Sequence, residues 1–262
     1  MKIKTKIQAF VRSINILIFK KGLPVKISLY FHDIYQDEVD GLKDIIIFFK
    51  DLGYEFQTTE IFNNDISSTS KAISLTFDDG FKNWENLIEL FEAYSIKATF
   101  FMNSIFLAKK INEKEFQTFL KDTKIFDKEK LINSEIIKKL IDNGHEIGSH
   151  THSHRTLKDL SEEELRYEIN ENLKYINEFG IKPKSFSTPY GMKRLVKNSQ
   201  INILNEYFDT ICFGEPGLLH KQQKSLIERY PWKVNKSFIY NLNNLRTDTT
   251  IFNKLTKRSG LG

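Results

Sequence analysis

SEIIKKLIDNGHEIGSHTHSH, residues 134–154, reads as one complete α/β unit. Residues 134–144 form a helix, with Ser134 as its N-cap and Gly144 suited to its C-terminal stop. HEIGS (145–149) follows at once as a short strand. The strand runs into a loop holding His150, His152 and His154, three of the six histidines of the chain. The same alternation extends both ways from this unit. Upstream lie a strand at VKISLYF (25–31) and a helix over 40–52 whose apolar face is Leu42, Ile45, Ile46, Phe49 and Leu52. A strand at AISLTF (72–77), a helical pattern over 83–95 and a buried strand at KATFFMN (97–103) come next. Residues 109–133 are Lys-rich and less regular, an insertion or lid. Downstream, 161–180 is the clearest helix, opened by the capping box Ser161-x-x-Glu164 and closed at Gly180. SFS (185–187), a helix near 192–206, FDTICF (208–213), SLIERY (225–230) and a helical stretch from 236 complete the pattern. Repeated βα units imply a parallel sheet, and this many imply a closed or nearly closed barrel. No internal repeat, low-complexity tract or Pro/Gly linker divides the chain.

Composition agrees with one domain. An α/β barrel commonly runs to about 250 residues, and this chain has 262. Its 40% hydrophobic fraction is modest, but 22 Phe and 10 Tyr can fill a large core. A lone Cys212 rules out an intrachain disulfide framework. The net charge of +5 comes from 39 Lys+Arg interleaved with 34 Asp+Glu, which argues against nucleic acid as a dedicated partner. No apolar run approaches the roughly 18 residues of a spanning helix. MKIKTKIQAFVRSINILIFKKG (1–22) superficially resembles a signal peptide, but Arg12 interrupts its apolar stretch and no small-residue cleavage site follows Phe19. Ile3, Ile7, Phe10, Ile14 and Leu17 instead fall on one face of a basic amphipathic helix over 1–21. That helix either packs on the domain or rests on an anionic membrane surface. The expected location is cytoplasmic, or peripheral on the inner membrane face.

Three segments carry chemistry. Thr76-Phe77-Asp78-Asp79-Gly80 ends a strand with two adjacent carboxylates, which repel one another. A plain turn also favours Asp and Gly. His150-Thr151-His152-Ser153-His154 places two imidazoles four residues apart, so on a helical turn His150 and His154 would share a face while His152 pointed elsewhere. Two imidazoles plus a carboxylate are the ligand set of a hydrolytic zinc or similar divalent site, and Asp78-Asp79 supplies the carboxylate. Ser187-Thr188-Pro189-Tyr190-Gly191 is a shaped turn after a third strand. In parallel α/β folds ligands gather at the C-terminal strand ends, so the three segments should meet at one mouth.

In SLTFDDGF, IKATFFMN, GHEIGSHTHSH and FSTPYG the sequence resembles the polysaccharide deacetylases of carbohydrate esterase family 4, built on the NodB homology domain. The resemblance spans roughly residues 25–232. It implies a distorted (β/α) barrel of about seven parallel strands, a single domain over 22–262, and metal-dependent removal of acyl groups, mostly N-acetyl, from sugars. By position it makes Asp78 the catalytic base, and Asp79, His150 and His154 the ligands of one divalent ion, zinc first, with cobalt or nickel as alternatives. The Pro189-Tyr190 turn would face substrate, the Tyr190 N–H would hold the oxyanion, and Thr151 would contact substrate or the acetate product. Family members often carry an Arg near the position of Ser187 to orient the base; Arg229 could supply that charge from a later strand. The late Leu-x-Leu-His segment that holds the general acid in many members is missing. His32, at the end of VKISLYF, is preferred for that role over His220. Trp84 and Trp232 are read as core or rim packing rather than sugar platforms, and His145 and Glu146 as structural. The expected partner is an acylated sugar of a cell-surface glycan or of its lipid- or nucleotide-linked precursor. A metal-dependent phosphoesterase, or a glycan-binding barrel without catalysis, are the alternative readings.

Overall fold

The structure is a computed structural model that describes residues 23–216 and 225–247. Among the described residues nine strands form one parallel sheet: β1 (Lys26–Phe31), β2 (Glu55–Phe56), β3 (Ala72–Asp78), β4 (Thr99–Met102), β5 (Glu146–Ser149), β6 (Ser185–Ser187), β7 (Thr210–Phe213), β8 (Leu226–Glu228) and β9 (Tyr230–Pro231). The order is β8-β7-β6-β5-β4-β3-β1-β9, with the short β2 also on β3. The two ends of this order are one piece of chain. β8 pairs with β7, only Arg229 intervenes, and β9 pairs with β1, so one segment closes the ring. The Arg229 N–H donates to the Phe213 carbonyl at that junction. Counting β8 and β9 as one stave, the barrel has the expected seven, with β2 as an added edge.

Alternation along each strand sorts side chains into two layers. Ile73, Leu75 and Phe77 of β3 belong to the main apolar cluster with Ile27, Leu29, Phe31 and the surrounding helices. Their neighbours Ser74, Thr76 and Asp78 are equally buried, on the other side of the sheet. Phe101, Cys212 and Ile227 form a separate buried cluster. Gly148 on β5 is in register with Phe101, and a Cβ at Gly148 would overlap the Phe101 ring.

Among the described residues the helices outside the sheet are α1 (Val39–Asp51), α2 (Thr59–Asn64), α3 (Ile88–Ala93), α4 (Glu113–Asp122), α5 (Ser134–Asp142), α6 (Glu162–Asn177), α7 (Asn198–Tyr207) and α8 (Phe238–Thr247), of which α2 is not predicted by the sequence pattern. Three expectations change in detail. The helical pattern at 83–95 splits into a 3₁₀ stretch, Lys82–Leu87, and the short α3. The N-cap of α5 is Asn133, whose side chain accepts from the Ile136 N–H, and Ser134 is the first helical residue. The Lys-rich stretch 109–133 contains a regular helix. Asn112 caps α4, and Phe116, Phe119 and Leu120, at helical spacing, bury against the core. Trp84 is fully buried with its Nε1–H donated to the His32 carbonyl, and Trp232 packs against Phe49 and Phe238. Trp84 is thus a core residue, and Trp232 is mostly buried at the rim of a groove that it shares with Tyr30 and His32. Among the described residues no helix is long and apolar enough to cross a membrane. The 1–21 helix and His220 lie outside the described residues.

His145 and Glu146 serve the scaffold. Glu146 accepts from Ser185 Oγ, Thr99 Oγ1 and the Glu60 N–H, tying three segments together. The His145 Nδ1 accepts from the Ala98 N–H, which requires the neutral ring. Burial holds that imidazole down, to about 4, with Lys97 adding to the effect. A histidine depressed on folding stabilises the fold above its unfolded pKa of about 6.5, and loses that contribution as pH falls toward 4. The loss should reach about 3 kcal/mol. Urea midpoints at pH 7.5 and 4.5 should therefore diverge more in the natural protein than in His145→Gln. Equal divergence would show that the ring is not held neutral.

Candidate active site

The C-terminal end of β3 turns sharply. Asp78 is the last strand residue, and Asp79 and Gly80 both take left-handed backbone, at φ of 86° and 89°. Aspartate tolerates that region better than most residues, and glycine adopts it freely. The turn points the two adjacent carboxylates different ways. Asp78 stays on the lumen side of its strand, and Asp79 swings toward the loop that follows β5.

That loop is not the helical turn expected from the four-residue spacing of His150 and His154. It is irregular, with Thr151 at φ 65° and His154 at φ 62°. The two left-handed residues nevertheless bring both rings to one place. The Nε2 atoms of His150 and His154 lie 3.2 and 3.4 Å from the same oxygen, Asp79 Oδ1. All three side chains are buried, and one ligand atom from each falls within 4.8 Å of the others. Asp79 Oδ1 is sealed from solvent without a partner in hydrogen-bonding geometry. His150 Nδ1 faces the Ser187 carbonyl at 2.8 Å, so that nitrogen carries a proton and Nε2 is the atom turned to Asp79; burial alone would lower this ring's pKa, but Asp79 and Asp78 outweigh it and raise it. A buried acceptor without a donor, flanked by two imidazole nitrogens, is costly alone and suits a divalent cation. Burial holds His154 down, to about 4, in the neutral form that ligates. Burial alone would raise Asp79, but the surrounding imidazoles outweigh it and keep the carboxyl well below its usual range. His152 points away, as expected, with Nδ1 2.8 Å from Ser104 Oγ and its ring stacked on Tyr175.

The second carboxylate is locked by Arg229. The guanidinium reaches both Asp78 oxygens, Nη1 to Oδ1 at 2.8 Å and Nη2 to Oδ2 at 2.7 Å. Its other N–H groups donate to Thr76 Oγ1, Ser187 Oγ and the Phe213 carbonyl. All five donors of a fully buried arginine are thus used, and its face lies against the Tyr30 and Phe101 rings. Ser187 also donates to Asp78 Oδ2, at 3.1 Å. Strands β3 and β6 are not neighbours, so these bonds cross the lumen. A serine at 187 leaves room for a guanidinium arriving from the β8–β9 segment, one strand beyond β7. Burial by itself would raise the Asp78 carboxyl, yet Arg229 outweighs it and holds the group ionised, below its ordinary range.

Both constellations open into one cavity of about 620 Å³, lined by His32, Asp78, Asp79, His150, His154 and Tyr190 among others. His32 is half exposed, with Nε2 3.9 Å from Asp79 Oδ2 and its ring edge-on to Tyr30. Tyr190, at φ 61°, lays its ring 4.8 Å from that of His154. Burial and a hydrogen bond to Asp122 push its hydroxyl up, to about 12. Asp122, Thr123 and Lys124 also line the cavity, so the Lys-rich segment does supply a wall of the site, from the end of a helix. Two expected substrate contacts fall elsewhere. Thr151 is fully buried behind the cavity, its Oγ1 accepting from the His154 N–H, and Pro189 is buried within its turn rather than on the wall. Nothing local announced Tyr30 as a wall of the site. Its position two residues before His32, on the same side of β1, is the one signal that was there.

A closed parallel barrel with these groups gathered at its strand ends falls in the (β/α)-barrel class, with a candidate divalent-metal centre at the mouth. The sequence profile described as "Polysaccharide deacetylase" matches residues 65–207, more than half of the chain, and the chain belongs to that family. A peptidoglycan-N-acetylglucosamine deacetylase of Bacillus cereus is 30% identical over 122 residues, which cover 45% of this chain and 36% of the relative. A second Bacillus cereus protein of the same description is 25% identical over 139 residues, 52% of this chain and 54% of that protein. The chain thus spans between about a third and about half of the length of these curated relatives. The Streptococcus pyogenes deacetylase PplD superposes with a TM-score of 0.66 at 18% identity, over 84% of this chain and 97% of that one. A de-N-acetylase from Aggregatibacter actinomycetemcomitans superposes at 0.67 and 17% identity, over 84% and 99%. At such identities the likeness speaks for the fold.

Proposed function

We propose that the protein is a divalent-metal-dependent deacylase that removes an N-acetyl group from an amino sugar of a glycan or glycan precursor. The observation that carries this reading is the convergence of Asp79, His150 and His154 on one point, beside the arginine-locked Asp78. The substrates named for the Bacillus cereus relatives support an acetylated glucosamine unit. A divalent cation held by Asp79, His150 and His154 would lower the pKa of water from 15.7 toward about 7 and polarise the acyl oxygen. The chain's own groups do the rest. Asp78, ionised and fixed by three hydrogen bonds, accepts the proton of the attacking water as it adds to the acyl carbon. The Tyr190 N–H donates to the oxyanion. His32, at the open side of the cavity, gives a proton to the sugar nitrogen as the C–N bond breaks, leaving a free amine and acetate.

The direct test is acetate release from short N-acetylglucosamine oligomers, with the protein as prepared, after chelation, and after return of zinc, cobalt or nickel. Release that disappears with chelator and returns with metal supports the reading. Release unaffected by complete metal removal would overturn it. His32→Ala should lower kcat by about 10²–10³-fold with KM little changed, since a general acid contributes to bond breaking rather than to binding. The ring is half exposed, so the fold should survive. An unaltered kcat would move the proton-donating role elsewhere.

A further inference from the structure

The apolar stripe of α6 is interrupted by two polar residues where core residues belong. Its buried positions are Leu165, Glu168, Ile169, Asn172 and Ile176, and Glu168 and Asn172 are both fully buried, one turn apart. Buried polar side chains must find partners, and these two find theirs almost wholly in the histidine loop and the strand ends beside it. Glu168 accepts from the Ser153 N–H at 2.8 Å and from Ser153 Oγ at 2.5 Å, and its own backbone carbonyl accepts from the His152 N–H. Asn172 accepts from Ser149 Oγ at 2.7 Å and donates to the carbonyls of Thr151, at 2.7 Å, and Met102, at 3.1 Å. Asn103 completes the frame by donating to the carbonyls of His150 and Thr151.

This frame answers a specific difficulty. The loop contains two non-glycine residues in left-handed backbone, Thr151 and His154, each costing on the order of 1–2 kcal/mol. Threonine, being β-branched, is especially strained there. Such a conformation persists only where its surroundings over-determine it. In this conformation the Nε2 atoms of His150 and His154 lie 3.2 and 3.4 Å from Asp79 Oδ1.

We infer that Glu168 and Asn172 are positioning residues for the candidate metal centre: through Ser153, Thr151 and Ser149 they hold the histidine loop in the strained shape that makes His150 and His154 converge. The inference rests on the proposed metal-dependent reading, and it separates the ligands, which touch the ion, from a helix that sets their geometry from behind. Glu168→Gln keeps the size of the side chain, but its amide can replace only one of the two acceptor contacts. Ser153→Ala removes the hydroxyl contact and leaves the N–H contact intact.

The test is metal affinity by competition with a chromophoric chelator, together with the visible absorption of the cobalt-loaded protein and thermal melting of the metal-free protein. Glu168→Gln should bind zinc about 10–100-fold more weakly and shift the cobalt spectrum, with Ser153→Ala between it and the natural protein. Loss of affinity in Ser153→Ala with melting unchanged supports the inference even where Glu168→Gln does not fold. Equal affinity and an identical cobalt spectrum in the folded variants would overturn it. A natural protein that takes up no metal would overturn the proposed function, and the inference with it.

Discussion

Asp79→Ala is expected to lose stoichiometric metal binding and acetate release together, with the chain still folded. Asp79 contributes the only carboxylate of the Asp-His-His cluster, and its Oδ1 is the atom on which both imidazoles converge. A bound ion supplies several kcal/mol of transition-state stabilisation, so the rate should fall by about 10³-fold or more. The metal-free variant should still fold, because the histidine loop is held by hydrogen bonds that do not involve Asp79, and thermal melting of the metal-free protein checks this. His150→Ala and His154→Ala should behave alike in metal content. Elemental analysis of dialysed protein, with acetate release on the same samples, checks the result. A full equivalent of tightly held metal in all three variants would sink the site.

Arg229→Met is expected to be the most destabilising single change near the site, by about 3–5 kcal/mol, because it strands the buried Asp78 carboxylate and three other acceptors. It should also loosen barrel closure, since Arg229 joins the segment that bonds to β7 on one side to the segment that bonds to β1 on the other. Asp78→Asn keeps an oxygen acceptor for the guanidinium and leaves all three candidate ligands in place. It should retain metal but lose about 10²–10⁴-fold in turnover, the usual share of a general base. The double variant Arg229→Met, Asp78→Asn should recover part of the stability lost in Arg229→Met, because no uncompensated charge remains in the lumen. Urea unfolding of the four proteins reads the coupling directly. Strict additivity would mean that the two groups do not act as a pair.

Much of this molecule was visible along the chain. Apolar periodicity placed α1, α6 and every barrel strand within a few residues, because each element buries one face and the burial leaves its period in the sequence. Boundaries that depend on a single hydrogen bond were less visible. Asn133 and Ser134 are both good caps, and which one faces the Ile136 N–H is settled by how the preceding chain enters the helix. The regularity of α4 was obscured by its lysines, since Phe116, Phe119 and Leu120 are its whole buried stripe.

At the site the division is sharper. Residue types and their order determined the chemistry: two imidazoles, two adjacent carboxylates and a shaped turn, each following a strand of a parallel sheet whose strand ends must share a mouth. The resemblance assigned the two carboxylates different roles, and tertiary structure supplied the geometry that separates them. It turned Asp79 toward the histidines and Asp78 toward Arg229, 151 residues away along the chain. It withdrew Thr151 from the cavity, and it placed Glu168 and Asn172 behind the loop that presents the ligands. The physical reason is that burial along an element is periodic and therefore local, whereas a hydrogen bond across a barrel joins residues whose separation in sequence carries no information about their distance in space.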